Sequence, residues 1–286
     1  VIPAWFDYAN PSTVDEAVSA LAEGGEDAKA LAGGQSLIPL LRLRMAAPAL
    51  LVDLGSIDEL RGVREEDDDI VIGAMTTHAA LLADPLVRAY APVLVDAVAT
   101  VADRQVRHRG TFGGSLSHAD PAGDMPAAAV AADATLEVAG PSGRRSVAAA
   151  DFFVDYLTTA LQPGELLVAV RVPKRPGWGS EYLKFNRVAQ AWAMVGVAAT
   201  VRRDNGTIAE ARVALTNMGP TPVRALAVEQ ALSGVPATRD AITAAAAQAG
   251  EGTRPSSDVS ASAEYRLHLA GVLTGRAVAA AAGLTD

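Results

Sequence analysis

Cysteine is absent from all 286 residues, which excludes disulfides, thiolate zinc sites and a cysteine-ligated iron–sulfur cluster on this chain. Aromatic residues are scarce at 5%, and histidine occurs four times. Neither His108 nor His118 has a second ligand at a metal-binding spacing, so no metal centre is expected and both read as loop residues. Positive charge is short as well. Against 33 Asp and Glu stand 24 Lys and Arg, and the formal net charge of -9 argues against nucleic acid or an anionic membrane surface as the main partner. No apolar run reaches the roughly 18 residues of a membrane span. The opening Val1-Ile2-Pro3-Ala4-Trp5 has neither the basic region nor the apolar core of a signal peptide. The expectation is a soluble, cytoplasmic protein that is not integral to a membrane.

What is present is a half-hydrophobic chain long enough for two domains. Its first organising feature is Leu31-Ala32-Gly33-Gly34-Gln35-Ser36-Leu37, between a short apolar run and Ile38-Pro39-Leu40-Leu41. That order reads as a strand, a turn and a helix from about Ile38 to Ala46. Paired glycines let a backbone approach a ligand closely, and successive N–H groups in such a turn can converge on an anion. A second stretch of the same kind occurs at Thr111-Phe112-Gly113-Gly114-Ser115. Alone, either stretch is equally an ordinary turn. No G-x-G-x-x-G or G-x-x-x-x-G-K-[ST] is present, so Asp53 reads as a strand-end acid rather than the ribose acid of a Rossmann site.

Around these stretches the periodicities alternate. Ser12 or Thr13 caps a helix carrying Val14, Ala17, Val18 and Leu21 inward; Leu50–Leu54 is a buried strand. Arg64–Asp69 reads as a solvated hairpin turn before the strand Ile70–Ala74. Thr76-Thr77 caps a helix with Leu81 and Leu82, and Val95, Val98 and Val101 face inward after Pro92. Arg104, Arg107, His108 and Arg109 either offset a diphosphate or form an exposed helix end; the second is the commoner use of such a cluster. Asp120 and Asp124 flank Pro121 without a neighbouring nucleophile or base, which favours acceptors for ligand hydroxyls over an acid/base pair. Pro173–Gly179 reads as a linker. Beyond it, Val195–Arg202 and Ile208–Leu215 flank Asn205-Gly206 as a hairpin. Helices follow at about 222–232, 238–249 and 261–282, the last suited to close packing or a subunit contact.

Four ordered features carry a resemblance: Ala32-Gly33-Gly34-Gln35-Ser36, then Gly73-Ala74-x-Thr76, then Thr111-Phe112-Gly113-Gly114, then Asp120-Pro121-x-x-Asp124-Met125-Pro126. Together they resemble the FAD-binding subunits of molybdenum hydroxylases, and most of all those of the aerobic carbon monoxide dehydrogenase type. Leu215-Thr216-Asn217 and Ala263-Glu264-Tyr265-Arg266 extend the likeness towards the C-terminus.

The resemblance implies an α+β chain: a PCMH-type (vanillyl-alcohol-oxidase-like) FAD-binding domain over 1–176, in two α/β subdomains at about 1–56 and 57–176. A small α+β domain with an antiparallel sheet and helices follows over 177–286. It implies FAD held by the amides of 31–37 and 111–115, with Thr76, Asp120, Asp124, Leu167 and Lys184 around it and Trp192 against the isoalloxazine. By position alone, Trp192 in an apolar run reads as core. Three departures stand out: Ser115 replaces the usual Asn, Gln35 is uncharged, and Ala191 replaces an acid beside the aromatic. No catalytic residue is implied on this chain.

The implied partners are a large molybdopterin subunit and a small subunit with [2Fe-2S] clusters, in a dimer of heterotrimers. Electrons would pass to quinone or another acceptor, with the complex at the inner face of the membrane. The reducing substrate is carbon monoxide, or else an N-heterocycle, aldehyde or purine. A free-standing flavoprotein oxidoreductase is the remaining alternative.

Overall fold

In the computed structural model, which describes residues 2–284, alternating strands and helices open the chain. The first unit runs β1 (Asp7–Ala9), α1 (Val14–Gly24), β2 (Ala28–Leu31), α2 (Leu37–Leu43) and β3 (Leu50–Asp53). Its three strands are parallel in the order β1-β3-β2. Thr13 caps α1 through a capping box with Glu16, and the face formed by Val14, Ala17, Val18 and Leu21 is buried. Helix α2 is shorter than its apolar run suggests. Arg44 turns left-handed at φ 56 and ends it three residues after Leu41, before Ala46 is reached.

The second unit contains β4 (Val63–Glu66), β5 (Asp69–Gly73), α3 (His78–Ala83), α4 (Pro85–Tyr90) and α5 (Pro92–Ala99). It continues with α6 (Arg104–Arg109), α7 (Phe112–His118), α8 (Asp124–Ala131), β6 (Thr135–Gly140) and β7 (Gly143–Ala148). Then come α9 (Ala149–Phe152), the small hairpin of β8 (Phe153–Asp155) and β9 (Thr158–Thr159), and β10 (Leu166–Pro173). Five strands form one antiparallel sheet, β4-β5-β10-β6-β7. The acidic stretch is mostly strand rather than turn. Glu66 and Asp69 are held by Arg171 of β10 at 2.7 and 3.1 Å, leaving only Asp67-Asp68 to reverse the chain. Of the valines expected inward after Pro92, Val98 is fully buried; Val95 and Val101 pack half-buried against the core, whose α5 members are Val93, Leu94, Ala97 and Val98.

The third unit is a four-stranded antiparallel sheet of β11 (Trp178–Phe185), β12 (Val195–Asp204), β13 (Thr207–Thr216) and β14 (Val223–Arg224), with α10 (Leu226–Leu232), α11 (Arg239–Ala246) and α12 (Ala263–Ala281). Asn205 and Gly206, at φ 47 and 82, make the β12–β13 hairpin turn. Only 174–177 separate β10 from β11, so the proline-rich stretch is strand at both ends. Helix α12 buries Leu269, Leu273, Ala277 and Val278 against this sheet.

Candidate functional site

A cavity of about 510 Å³ lies where the three units meet. That is within the roughly 300–1,000 Å³ of small-molecule sites. Of the eighteen residues that the resemblance places around FAD, fifteen line the cavity: Ala32, Gly33, Gly34, Gln35, Ser36, Leu37, Thr111, Gly113, Gly114, Ser115, Asp120, Asp124, Leu167, Lys184 and Trp192. Three do not. Leu31 ends β2, Phe112 is wholly buried in the core, and Thr76 is buried with its hydroxyl donating to Gly62 O at 3.1 Å.

The first glycine stretch keeps its donors free. Among the described residues, no protein acceptor takes the backbone N–H of Gly33, Gly34, Gln35 or Ser36, whereas the Ile38 N–H closes on Gly34 O at 3.0 Å. Four unpaired amides in consecutive residues that line a cavity suit an anion. Gly33 has a separate reason to be glycine. A Cβ there would lie 2.1 Å from Arg109 O, so the bare backbone lets this stretch press against the end of α6.

The second glycine stretch is built differently from its sequence reading. Thr111 is the N-cap of α7, and Gly113-Gly114 lie in the first helical turn. Phe112 N–H donates to Thr76 O, Gly113 N–H to Ala74 O, Gly114 N–H to Thr111 Oγ1 and Ser115 N–H to Thr111 O, at 2.8 to 3.1 Å. These amides are therefore engaged by the protein. A Cβ on Gly113 would lie 2.5 Å from Ala74 Cβ, so this glycine serves the packing of α7 on the strand end. What α7 offers the cavity is hydroxyl: Ser115 and Ser117 line it, and among the described residues neither side-chain hydroxyl has a protein partner.

The basic cluster belongs to the exposed helix end. Arg104, His108 and Arg109 are exposed on α6, and Arg107 turns back to donate to Val101 O at 2.7 Å. His108 and His118 are not loop residues; each sits in the last turn of a helix. No group of three potential metal-ligating side chains occurs among the described residues.

The two acids have different surroundings. Asp120 accepts from Ala122 N–H at 2.9 Å and is part-exposed at the cavity wall. Asp124, in the first turn of α8, is buried and its oxygens are already taken. Tyr182 Oη donates to Oδ1 at 2.7 Å, and Lys184 Nζ donates to Oδ2 at 2.8 Å and to Thr100 O at 3.2 Å. The Tyr182 hydroxyl also lies 3.3 Å from Thr216 Oγ1. Burial pushes the Asp124 carboxyl above the usual carboxylate range, against the pull of the Lys184 ammonium. Burial first, and then the neighbouring Asp124 charge, hold the Tyr182 phenol well above its ordinary value, so it remains a neutral donor.

Trp192 is 58% exposed at the cavity mouth beside Gln190 and Ala191. Its sequence surroundings are apolar, but the segment leaves the sheet at Phe185 and rejoins it only at Val195, so the indole is not core. Two residues escaped the sequence reading. Tyr182 stands behind Asp124, and the only sign of it was an alternating strand pattern in Tyr182-Leu183-Lys184. His78, the first residue of α3, lines the cavity with a buried Nδ1 that has no hydrogen-bond partner among the described residues. Burial, with a smaller contribution from the Arg107 charge, lowers its pKa to about 4, so the imidazole is neutral at neutral pH.

The cavity thus brings together free amides and hydroxyls, a buried Lys–Asp pair and an exposed indole, with apolar lining that includes Leu37, Leu40, Leu54, Leu166 and Leu167. A ligand that combines an anionic group, hydroxyls and a flat ring fits that set of groups. The family model of the FAD binding domain in molybdopterin dehydrogenase matches residues 4–175, and that of the CO dehydrogenase flavoprotein C-terminal domain matches 180–281. The carbon monoxide dehydrogenase medium chain of Hydrogenophaga pseudoflava is 42% identical over 282 residues, covering 98% of each chain. Among solved structures, a carbon monoxide dehydrogenase from the same organism, lacking the Mo-pyranopterin moiety of its molybdenum cofactor, superposes with TM-score 0.97 at 43% identity over all of both chains. Quinoline 2-oxidoreductase from Pseudomonas putida 86 superposes with TM-score 0.94 at 36% identity, again over all of both chains.

Proposed function

The chain belongs to the molybdopterin-dehydrogenase family of FAD-binding oxidoreductase subunits, and from that premise we propose that it is the electron-transfer subunit of an aerobic, molybdenum-containing carbon monoxide dehydrogenase. FAD is its cofactor; when bound, it supplies the acceptance and release of electrons, while the protein supplies binding, orientation and electrostatics. Residues 1–176 form the flavin domain, with subdomains at about 1–56 and 57–176, and 177–286 form the C-terminal domain that completes the cavity.

The observation that carries this reading is the run of unpaired amides from Gly33 to Ser36 at the cavity wall. They receive the diphosphate, joined by the Ser115 and Ser117 hydroxyls. Asp120, with capacity left on its carboxylate, accepts ribityl or ribose hydroxyls. The Asp124–Lys184 pair presents the remaining ammonium donor to the polar edge of the ring system, and Trp192 covers a ring face. No side chain here is placed as an acid, base or nucleophile acting on the reducing substrate.

Electrons arrive from [2Fe-2S] clusters, which a cysteine-free chain cannot ligate through thiolates and which therefore sit on a small partner subunit. A large subunit holds the molybdopterin cofactor, in a dimer of heterotrimers, and quinone is the external acceptor. No helix among the described residues is long and apolar enough to cross a membrane, and contact with the inner membrane face is made through the complex. The likeness to quinoline 2-oxidoreductase favours a second reading, with an N-heterocycle as reductant of the complex.

The test is anaerobic addition of carbon monoxide to the complex purified from its source, after assay of its FAD, iron and molybdenum. Bleaching of the flavin absorbance supports the proposal. Bleaching by a heterocycle alone replaces the substrate, and a complex without flavin overturns the role of the amide run.

A further inference from the structure

Asn217 follows the last residue of β13 and makes bonds in two directions. It adopts φ 61, a left-handed conformation that asparagine tolerates better than most residues. Its backbone N–H donates to Pro121 O at 2.8 Å, and its Nδ2 donates to Ala193 O at 2.7 Å. Pro121 lies in the turn between Asp120 and Gly123, and Ala193 directly follows Trp192. Asp120 and Gly123 line the cavity from this turn and Trp192 lines it from another segment; Asn217 itself stands outside it.

We infer that Asn217 is a positioning residue that ties the Asp120–Gly123 turn to the Trp192 segment and so sets where the indole stands over the bound flavin. This rests on the flavin reading above. The physical need is plain from the surroundings of Trp192. Its side chain is mostly exposed, and residues 186–194 have no strand partner to hold them. The segment is fixed by burial of Ala193 and Met194 and by hydrogen bonding to its backbone. Met194 N–H donates to Phe185 O at 2.8 Å, and two successive carbonyls are gripped from the C-terminal unit. Asn217 takes Ala193 O, and the buried Arg266 takes Met194 O while its Nη2 donates to Asp258 at 2.8 Å. Of these, only Asn217 also reaches the Asp120–Gly123 turn.

Glycine at 217 accepts the same backbone conformation and keeps the N–H bond to Pro121 O, so Asn217→Gly removes the Ala193 bond alone. Asn217→Asp keeps size and backbone but turns an acceptor towards Ala193 O. The full chain is titrated with FAD, and the visible circular dichroism of the bound flavin is recorded. The expected result is roughly fivefold weaker binding for Asn217→Gly, weaker still for Asn217→Asp, with the dichroism moving towards that of Trp192→Ala. In a Trp192→Ala background, Asn217→Gly should add nothing. Wild-type behaviour of Asn217→Gly, or an equal loss in both backgrounds, overturns the positioning role and leaves the flavin reading intact. Failure of the unaltered chain to bind FAD overturns that reading and this inference with it.

Discussion

Lys184 Nζ lies 2.8 Å from Asp124 Oδ2, with only 5% and 3% of the two side chains exposed, the lysine on β11 of the third unit and the acid on helix α8 of the second. A buried pair of this kind is weak evidence for net stability, yet breaking it is costly because one charge is left without a partner. Lys184→Met should therefore destabilise the chain by about 3–5 kcal/mol, while Lys184→Met combined with Asp124→Asn should cost clearly less. Urea denaturation of the four species closes the cycle. A Lys184→Met cost near zero would mean that the pair is not ionised.

The glycines predict a contrast. Gly33→Ala brings a Cβ to 2.1 Å from Arg109 O, which must move, and overpacking of this kind costs about 1–3 kcal/mol. The same shift displaces the free amides, so FAD affinity should fall with stability. Gly271→Ala is the control: its Cβ would meet Ala246 O at 3.5 Å, ordinary contact in the middle of α12, and should stabilise by about 0.5–1 kcal/mol. Thermal melts and FAD titration of both variants check this.

His78 gives a pH dependence with a definite sign. Its pKa is near 6.5 unfolded and about 4 folded, so between those values the unfolded chain binds more protons. Its contribution is present above pH 6.5 and lost as the pH falls towards 4, by roughly 3 kcal/mol at most. Asp96, raised to about 6 by burial and by the Glu181 charge, acts with the opposite sign in the same window. The informative quantity is thus the difference between the original chain and His78→Gln across that range. Parallel stability curves would show that His78 is not buried neutral.

Trp192→Ala separates function from stability. An indole that is 58% exposed supports little of the fold, and the melting free energy should stay within about 0.5 kcal/mol. Flavin affinity should fall about tenfold, in line with loss of one stacked aromatic face. Unchanged flavin spectrum and affinity would remove Trp192 from the site.

Much of this site could be read from residue order because it is local. The strand, glycine turn and helix at 28–43 are consecutive, and Asn205-Gly206 specifies its own turn. What could not be read depends on residues distant in sequence. Gly113 is glycine because Ala74 packs against it, and the amides of 112 and 113 are consumed by carbonyls of Thr76 and Ala74. Both facts require knowing that α7 stacks on the end of β5. The charges of Glu66 and Asp69 read as a solvated turn because Arg171, on a strand a hundred residues later, carries no local signal of pairing with them. Trp192 looked like core because apolar neighbours in sequence are not neighbours in space once a segment leaves its sheet.

The acid of α8 and the phenol and ammonium that satisfy it are separated by the 174–177 connection, which makes the two halves of this chain an inherited set. A chimera that joins the first half to a C-terminal half from a relative without Tyr and Lys at the places of 182 and 184 would carry an intact amide run and an orphaned anion beside it. Recombination between such subunits is therefore filtered at two positions far from either glycine stretch, and a designer exchanging halves must move 124, 182 and 184 together.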